Sequence, residues 1–168
     1  MRLFRSVASR GNSLCRLTPY LYSSAAVAAA AGLGAAAVDP SSGWYKGLRK
    51  PAWQPPSWAF GAVWTPLYAS IAGAAGHALP RTPVAQRHQV VGAFVVNLVL
   101  NAGWNWLFFK ARSPKAGLVG TSALVVSNAQ LVYQVGKHDR GAALTLTPYA
   151  VWCCFATALN ASILRRNR

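Results

Sequence analysis

The sequence predicts an all-α membrane protein, a bundle of five transmembrane helices. Three observations predict it. Apolar residues make up 54% of the 168 residues and charged residues only 11%, against roughly 25% charged in a soluble domain. Five stretches approach the ~20 apolar residues that a helix needs to cross a hydrocarbon core of about 30 Å. The 17 Lys and Arg stand between those stretches rather than within them. A chain of this length fits one domain.

Residues 1–18 read as a basic leader. Arg2, Arg5, Arg10 and Arg16 occur among several Ser with no acid. A mitochondrial transit peptide has this composition, and so does a plain basic segment ahead of a first membrane helix. The first span is expected at about 19–38, from Tyr20 through an Ala-rich run to Val38. Its small residues, with Ala69, Gly73 and Gly76 of the second span, allow helices to approach closely. The second span is expected at about 57–79, with Ser57 as a possible N-cap after Pro55 and Pro56. The third, at about 88–109, ends in Trp104, Trp106, Phe108 and Phe109. The fourth covers about 116–135 and the fifth about 141–164. Pro66 and Pro148 lie inside helical patterns and predict kinks.

Charge excludes several functions. A nucleic-acid binder gathers its cations on one face. Here they punctuate apolar runs: Lys46, Arg49 and Lys50; Arg81 and Arg87; Lys110, Arg112 and Lys115; Lys137 and Arg140; Arg165, Arg166 and Arg168. That is the pattern expected at lipid headgroups, so lipid is a partner and nucleic acid is not. The cations divide almost evenly between the two sides of a five-span chain and set no orientation. The two acids, Asp39 and Asp139, fall near helix ends, which leaves no paired-carboxylate chemistry and no acidic proton relay in the spans. Cys15, Cys153 and Cys154 form neither a disulfide framework nor a zinc motif. His77, His88 and His138 stand apart, and no metal is assigned.

The most informative stretch is GWYKGLRKPAWQPPSWAFGAVWTPLY, residues 43–68. Its prolines stiffen a loop, and Trp44, Tyr45, Trp53 and Trp58 suit the headgroup level. Composition supports an interfacial aromatic belt as strongly as a ligand lid. On the third span Asn97, Asn101 and Asn105 recur every four residues, with Trp104 beside Asn101. Amides on one stripe of a membrane helix face protein or a wet cavity. On the fifth, Tyr149, Trp152, Ala156 and Asn160 share a face.

The 43–68 pattern, together with NLVLNAGWNW at 97–106 and PYAVWCCFATALN at 148–160, resembles the signatures of the TspO/MBR family, the translocator proteins or peripheral-type benzodiazepine receptors. The resemblance covers about residues 43–165, and the tail is similar to bacterial members. It implies a five-helix bundle, often a homodimer, that binds porphyrin or haem, sterols in animal members, and synthetic benzodiazepine-type ligands, with no resident cofactor. Family pocket positions fall on Tyr45, Trp64, Asn101, Trp104, Trp152 and Ala156, and the loop bearing Trp53, Pro55 and Pro56 is implied to close over them. Asn97 and Asn105 are left as structural links between helices.

Aromatic and amide walls suit a flat macrocycle, and Lys46, Arg49 or Lys50 could attract its carboxylates. The implied function is a tetrapyrrole-binding receptor or regulator that moves its ligand across or along the membrane. The alternatives are a sterol-binding translocator and light-dependent porphyrin breakdown at Trp64 and Trp152. Animal members carry a cholesterol motif centred on a Tyr just after the position of Asn160, where this chain has Ala161. A loose match remains at Leu131, Tyr133 and Lys137. The expected location is a bacterial cytoplasmic membrane, with a mitochondrial outer or plastid membrane as the alternative.

Overall fold

The structure, a computed structural model, describes the backbone of residues 3–168 and the side chains of residues 17–168. Apart from Leu17 and Thr18, the leader expected at 1–18 lies outside the described side chains. The described residues form α-helices and short turns, with no strand among them. In chain order these are α1 (Leu3–Ala35), α2 (Gly43–Gly47), α3 (Ser57–Arg81), α4 (Arg87–Asn105), α5 (Pro114–Gly136) and α6 (Arg140–Arg166). A 3₁₀ turn, Val84–Gln86, leads into α4, and a π-helical segment, Trp106–Lys110, follows it.

The five long helices pack in a closed ring whose order is α1, α3, α6, α5, α4 and back to α1. Three of them are long and apolar enough to cross a membrane by length and composition: Val84–Lys110, Pro114–Gly136 and Arg140–Arg166. The five-span expectation is therefore met in helix length and packing, and among the described residues in three helices by apolarity. The physical reason is dilution. α1 relies on Ala rather than Leu or Ile, and α3 carries Gly, Ser, Thr and His among its apolar residues.

Local chemistry sets the boundaries. Ser113 accepts a hydrogen bond from the Ala116 N–H, with Pro114 opening α5. Ser57 is not an N-cap: it is the first helical residue of α3, and Pro56 holds the cap position with extended backbone and no side-chain bond. Asp139 Oδ1 accepts from the Ala142 N–H at 2.9 Å and caps α6. Its other oxygen lies 3.4 Å from His77 Nε2 and 3.5 Å from Arg81 Nε. His77 Nδ1 in turn faces the Tyr20 hydroxyl at 3.0 Å. One carboxylate thus ties the ends of α3 and α6 and, through His77, α1. Asp139→Ala removes a cap and the contacts to His77 and Arg81 and is expected to cost about 1–2 kcal/mol, read as a lower melting temperature in detergent. Asp139→Asn, which keeps a capping oxygen, recovers part of it.

Small residues bring helices together as expected. Ser23 Oγ donates to the Ala72 carbonyl at 2.8 Å, which α1 and α3 reach only at close range. A Cβ on Gly76 would fall 2.5 Å from the Tyr20 ring and 3.0 Å from its Cα.

The middle of the bundle is polar. The Tyr68 hydroxyl donates to Asn101 Oδ1 at 2.9 Å, and Asn101 Nδ2 donates to Tyr149 Oη at 3.0 Å. The Tyr149 hydroxyl donates to Asn97 Oδ1 at 2.9 Å, and Asn97 Nδ2 donates to Asn128 Oδ1 at 2.8 Å and to Ser127 Oγ at 3.2 Å. This directed chain links α3, α4, α6 and α5. Around it pack Ile71, Val90, Leu131, Val135 and Leu146, all fully buried.

Candidate functional site

The site is built at the end of the bundle where α2 and the proline-rich loop lie. The Ser42 hydroxyl accepts from the Tyr45 N–H and starts α2, which sets Trp44 and Tyr45 onto the bundle. Asp39 organises the approach. Its carboxylate accepts from the Ser41 hydroxyl and N–H, and the hydroxyl bond holds its pKa below the ordinary carboxylate value. The loop is clasped at Arg49. Its N–H donates to Asn167 Oδ1 at 2.9 Å, and Asn167 Nδ2 donates back to the Arg49 carbonyl at 3.0 Å.

The aromatic side chains form a set of three groups of ring contacts. Trp44 and Tyr45 meet Phe108 edge-on at 5.5 and 6.4 Å, and Tyr45 also meets Phe109 at 5.3 Å. Trp104 stacks on Phe108 at 5.6 Å. The π-helical segment places these two phenylalanines: the Ala111 N–H bonds five residues back to Trp106, which widens the turn and brings Phe108 inward and Phe109 beside Tyr45. On the α6 side Trp53 meets Phe155, Phe155 stacks on Trp152 at 5.0 Å, and Trp152 meets Phe60 at 6.1 Å. Trp64 stacks on Tyr68 at 5.2 Å and meets Tyr149 edge-on, a third group that leads into the amide chain through Tyr68 and Tyr149.

Three buried polar atoms beside these rings have no hydrogen-bond partner among the described residues: Trp104 Nε1, Gln54 Oε1 and Asn160 Oδ1. The Gln54 amide nitrogen bonds Tyr45 Oη at 3.3 Å, which leaves its oxygen over the set. Asn160 Nδ2 donates to the Ala156 carbonyl at 2.8 Å, which turns Oδ1 toward Gly117. Orphaned buried acceptors are costly. One donor and two acceptors here can each take a bond from a bound molecule. Lys50 Nζ sits 3.7 Å over the Tyr45 ring. Burial lowers the Lys50 pKa and raises that of Tyr45, against which the Gln54 bond acts.

The structure places Tyr45, Trp64, Trp104 and Trp152 in or beside this set, with Trp53 on its rim. Ala156 lies one turn beyond Trp152 and contributes its carbonyl to Asn160. Pro55 and Pro56 lead from the loop into α3. Asn101 is placed differently. It is 2% exposed, with both amide atoms engaged inside the bundle, by Tyr68 and by Tyr149, so it meets the aromatic set through those two hydroxyls. Asn97 is an inter-helix link, and Asn105 bonds back to the Asn101 carbonyl of its own helix. Leu131 is fully buried while Tyr133 is 64% exposed with Lys137 over its ring, so the cholesterol-type triplet does not share one surface. The sequence reading missed Phe60, Phe155 and Gln54. Phe60 stands four residues before Trp64 and Phe155 three after Trp152, a helical spacing that would have found both.

The model of the TspO/MBR family matches residues 23–166. The chain belongs to the TspO/MBR family. The "Tryptophan-rich protein TspO" of Chlorobaculum tepidum is 37% identical over 130 residues, 76% of this chain and 82% of that protein. The human "Translocator protein" is 35% identical over 128 residues, 74% and 75% of the two chains. The "Tryptophan-rich sensory protein" of Cereibacter sphaeroides is 30% identical over 127 residues, 74% and 77%. Family membership and the apolar helices make the chain a membrane protein. In this member the tryptophans fall on α2, the loop, α3, α4 with the π segment that follows it, and α6; Trp58 and Trp106 are exposed, and Trp44, Trp53, Trp64, Trp104 and Trp152 make the ring contacts described above.

Proposed function

We propose that this chain is an integral membrane tetrapyrrole receptor or regulator, all five long helices crossing the bilayer and the aromatic set holding the macrocycle. The observation that carries the reading is the set of three aromatic groups beside three unpartnered buried polar atoms, under a loop clasped by Asn167. Flat rings stack on Trp and Tyr faces. Trp104 Nε1 can donate to a carboxylate or ring nitrogen, while the Gln54 and Asn160 oxygens can accept pyrrole N–H bonds. Lys50 and the exposed Lys46 lie on the loop side, where they offset propionate charge. In the structure the rings contact each other, so a ligand inserts by parting them, with the loop as the moving part. Asn101 contributes by holding Tyr68.

Relatives named translocator and sensory protein agree with either movement or sensing of a ligand. We place the protein in a bacterial cytoplasmic membrane as a homodimer. Sterol is the second ligand class; the split of Leu131 from Tyr133 disfavours that triplet as its site. Light-driven porphyrin breakdown at Trp64 and Trp152 is the second activity. Both indoles lie beside the set, where they can exchange electrons with an excited macrocycle. Binding of protoporphyrin IX, haem and cholesterol to the detergent-purified chain tests the class. Saturable micromolar binding of the tetrapyrroles, undiminished by excess cholesterol, is expected. Saturable cholesterol binding that excludes protoporphyrin would replace this reading with the sterol one.

A further inference from the structure

A groove of about 580 Å³ contains none of the residues of the aromatic set. It lies on the outside of the ring between α1, α3 and α4, and its volume is in the range of small-molecule sites. One end is formed by Thr18, Pro19, Pro80 and Arg87, the other by Val27, Ala75 and Leu98. Between them Tyr22 and Ala26 of α1 face Val91, Phe94 and Val95 of α4. We propose that this groove holds an acyl chain of an anionic phospholipid, with the lipid phosphate on Arg87.

Length, polarity and charge each point to that occupant. From Arg87 to Leu98 a helix rises about 16 Å, half of a hydrocarbon core of about 30 Å. The groove therefore has the depth of one leaflet and stops near the bundle middle. Its cationic end stands where α3 gives way to α4, at headgroup level. Its remaining wall is apolar apart from the Tyr22 hydroxyl and the buried Ser23, whose hydroxyl is turned to α3.

Arg87 is built for the task. Its Nε donates to the Thr82 carbonyl at 3.1 Å. Thr82 is itself fixed by its hydroxyl bond to Ala78. The guanidinium is thus oriented, and its two terminal nitrogens have no protein partner among the described residues. The ion pairs found among those residues belong to Asp139. A planar guanidinium whose terminal nitrogens bond no described residue suits a phosphate better than a sterol hydroxyl. A second copy of this chain, with 17 cations and 2 acids, offers little to neutralise it.

Native mass spectrometry tests this with the full-length chain in detergent containing equal amounts of phosphatidylglycerol and phosphatidylcholine. The parent is expected to retain phosphatidylglycerol in about fivefold preference, the effect of one interfacial cation. Arg87→Gln brings the two lipids to parity, while Arg87→Lys keeps much of the preference. Ala26→Phe, at an exposed groove position, lowers retention of both. An unchanged preference in Arg87→Gln overturns the proposal, as does unchanged retention in Ala26→Phe. A dimer that Ala26→Phe converts to monomer, with lipid retention intact, would assign the groove to a second copy instead.

Discussion

Asn97→Leu is expected to destabilise the bundle by about 2–3 kcal/mol. Asn97 is fully buried, and its amide serves two helices at once. Its oxygen accepts the Tyr149 hydroxyl of α6, and its nitrogen donates to Asn128 and Ser127 of α5. Leucine fits the volume but leaves the Tyr149 proton and the Asn128 oxygen without those partners. An orphaned buried polar group costs about 1–3 kcal/mol, and within a membrane bundle single polar contacts average about 0.6 kcal/mol because the unfolded chain finds substitutes. Two orphans in one packed core give the figure above. Thermal unfolding in detergent reads the loss. Combining Asn97→Leu with Tyr149→Phe should cost less than the sum of the two, since they break the same bond. Full additivity would show that the two residues act independently.

Gly76→Val is expected to cost about 2–3 kcal/mol, the upper range for overpacking. Gly76 lies against Tyr20, and even an alanine Cβ would meet its ring at 2.5 Å and its Cα at 3.0 Å. The ring can turn, but the backbone of α1 cannot yield without moving the helix. Displacing α1 also pulls Tyr20 from His77 and Ser23 from the Ala72 carbonyl. The loss should therefore appear both in melting temperature and in faster proteolysis of the segment near Tyr20. Gly73→Val is the control: a Cβ there has open space, so its cost should be well under half.

The long helices were legible because each apolar run is bounded by cations, and lipid demands a minimum length. α3 and the fourth and fifth spans were read to within a few residues of their ends. The convergence of tryptophans was legible only through the family pattern, since interfacial rings and pocket rings have the same composition. Three features were not legible. α2 has five residues, too few for any periodicity, and depends on one hydroxyl, Ser42. The π-helical segment depends on a bond to the fifth residue back, which no local pattern in WLFFK announces. Asn97 and Asn101 look alike on one stripe, and only the positions of Tyr68 and Tyr149 on other helices show that both amides face inward. Apolarity by itself finds three spans among the described residues, for a related reason. α1 and α3 are long enough, but close packing selected small residues at the expense of apolarity.

The account's central claim is that the aromatic set at the loop end is the ligand site. Titration of protoporphyrin IX, followed by quenching of tryptophan fluorescence in the parent and in Trp64→Phe, Trp152→Phe and Asp139→Ala variants, tests it most directly. Each indole offers a stacking face, so each Phe substitution should weaken saturable micromolar binding by about fivefold to tenfold. Asp139→Ala, at the far end of the bundle, should leave affinity unchanged under conditions where it remains folded. Parent affinity in both tryptophan variants, or saturable binding lost only with Asp139→Ala, would contradict the claim and move the site away from the loop.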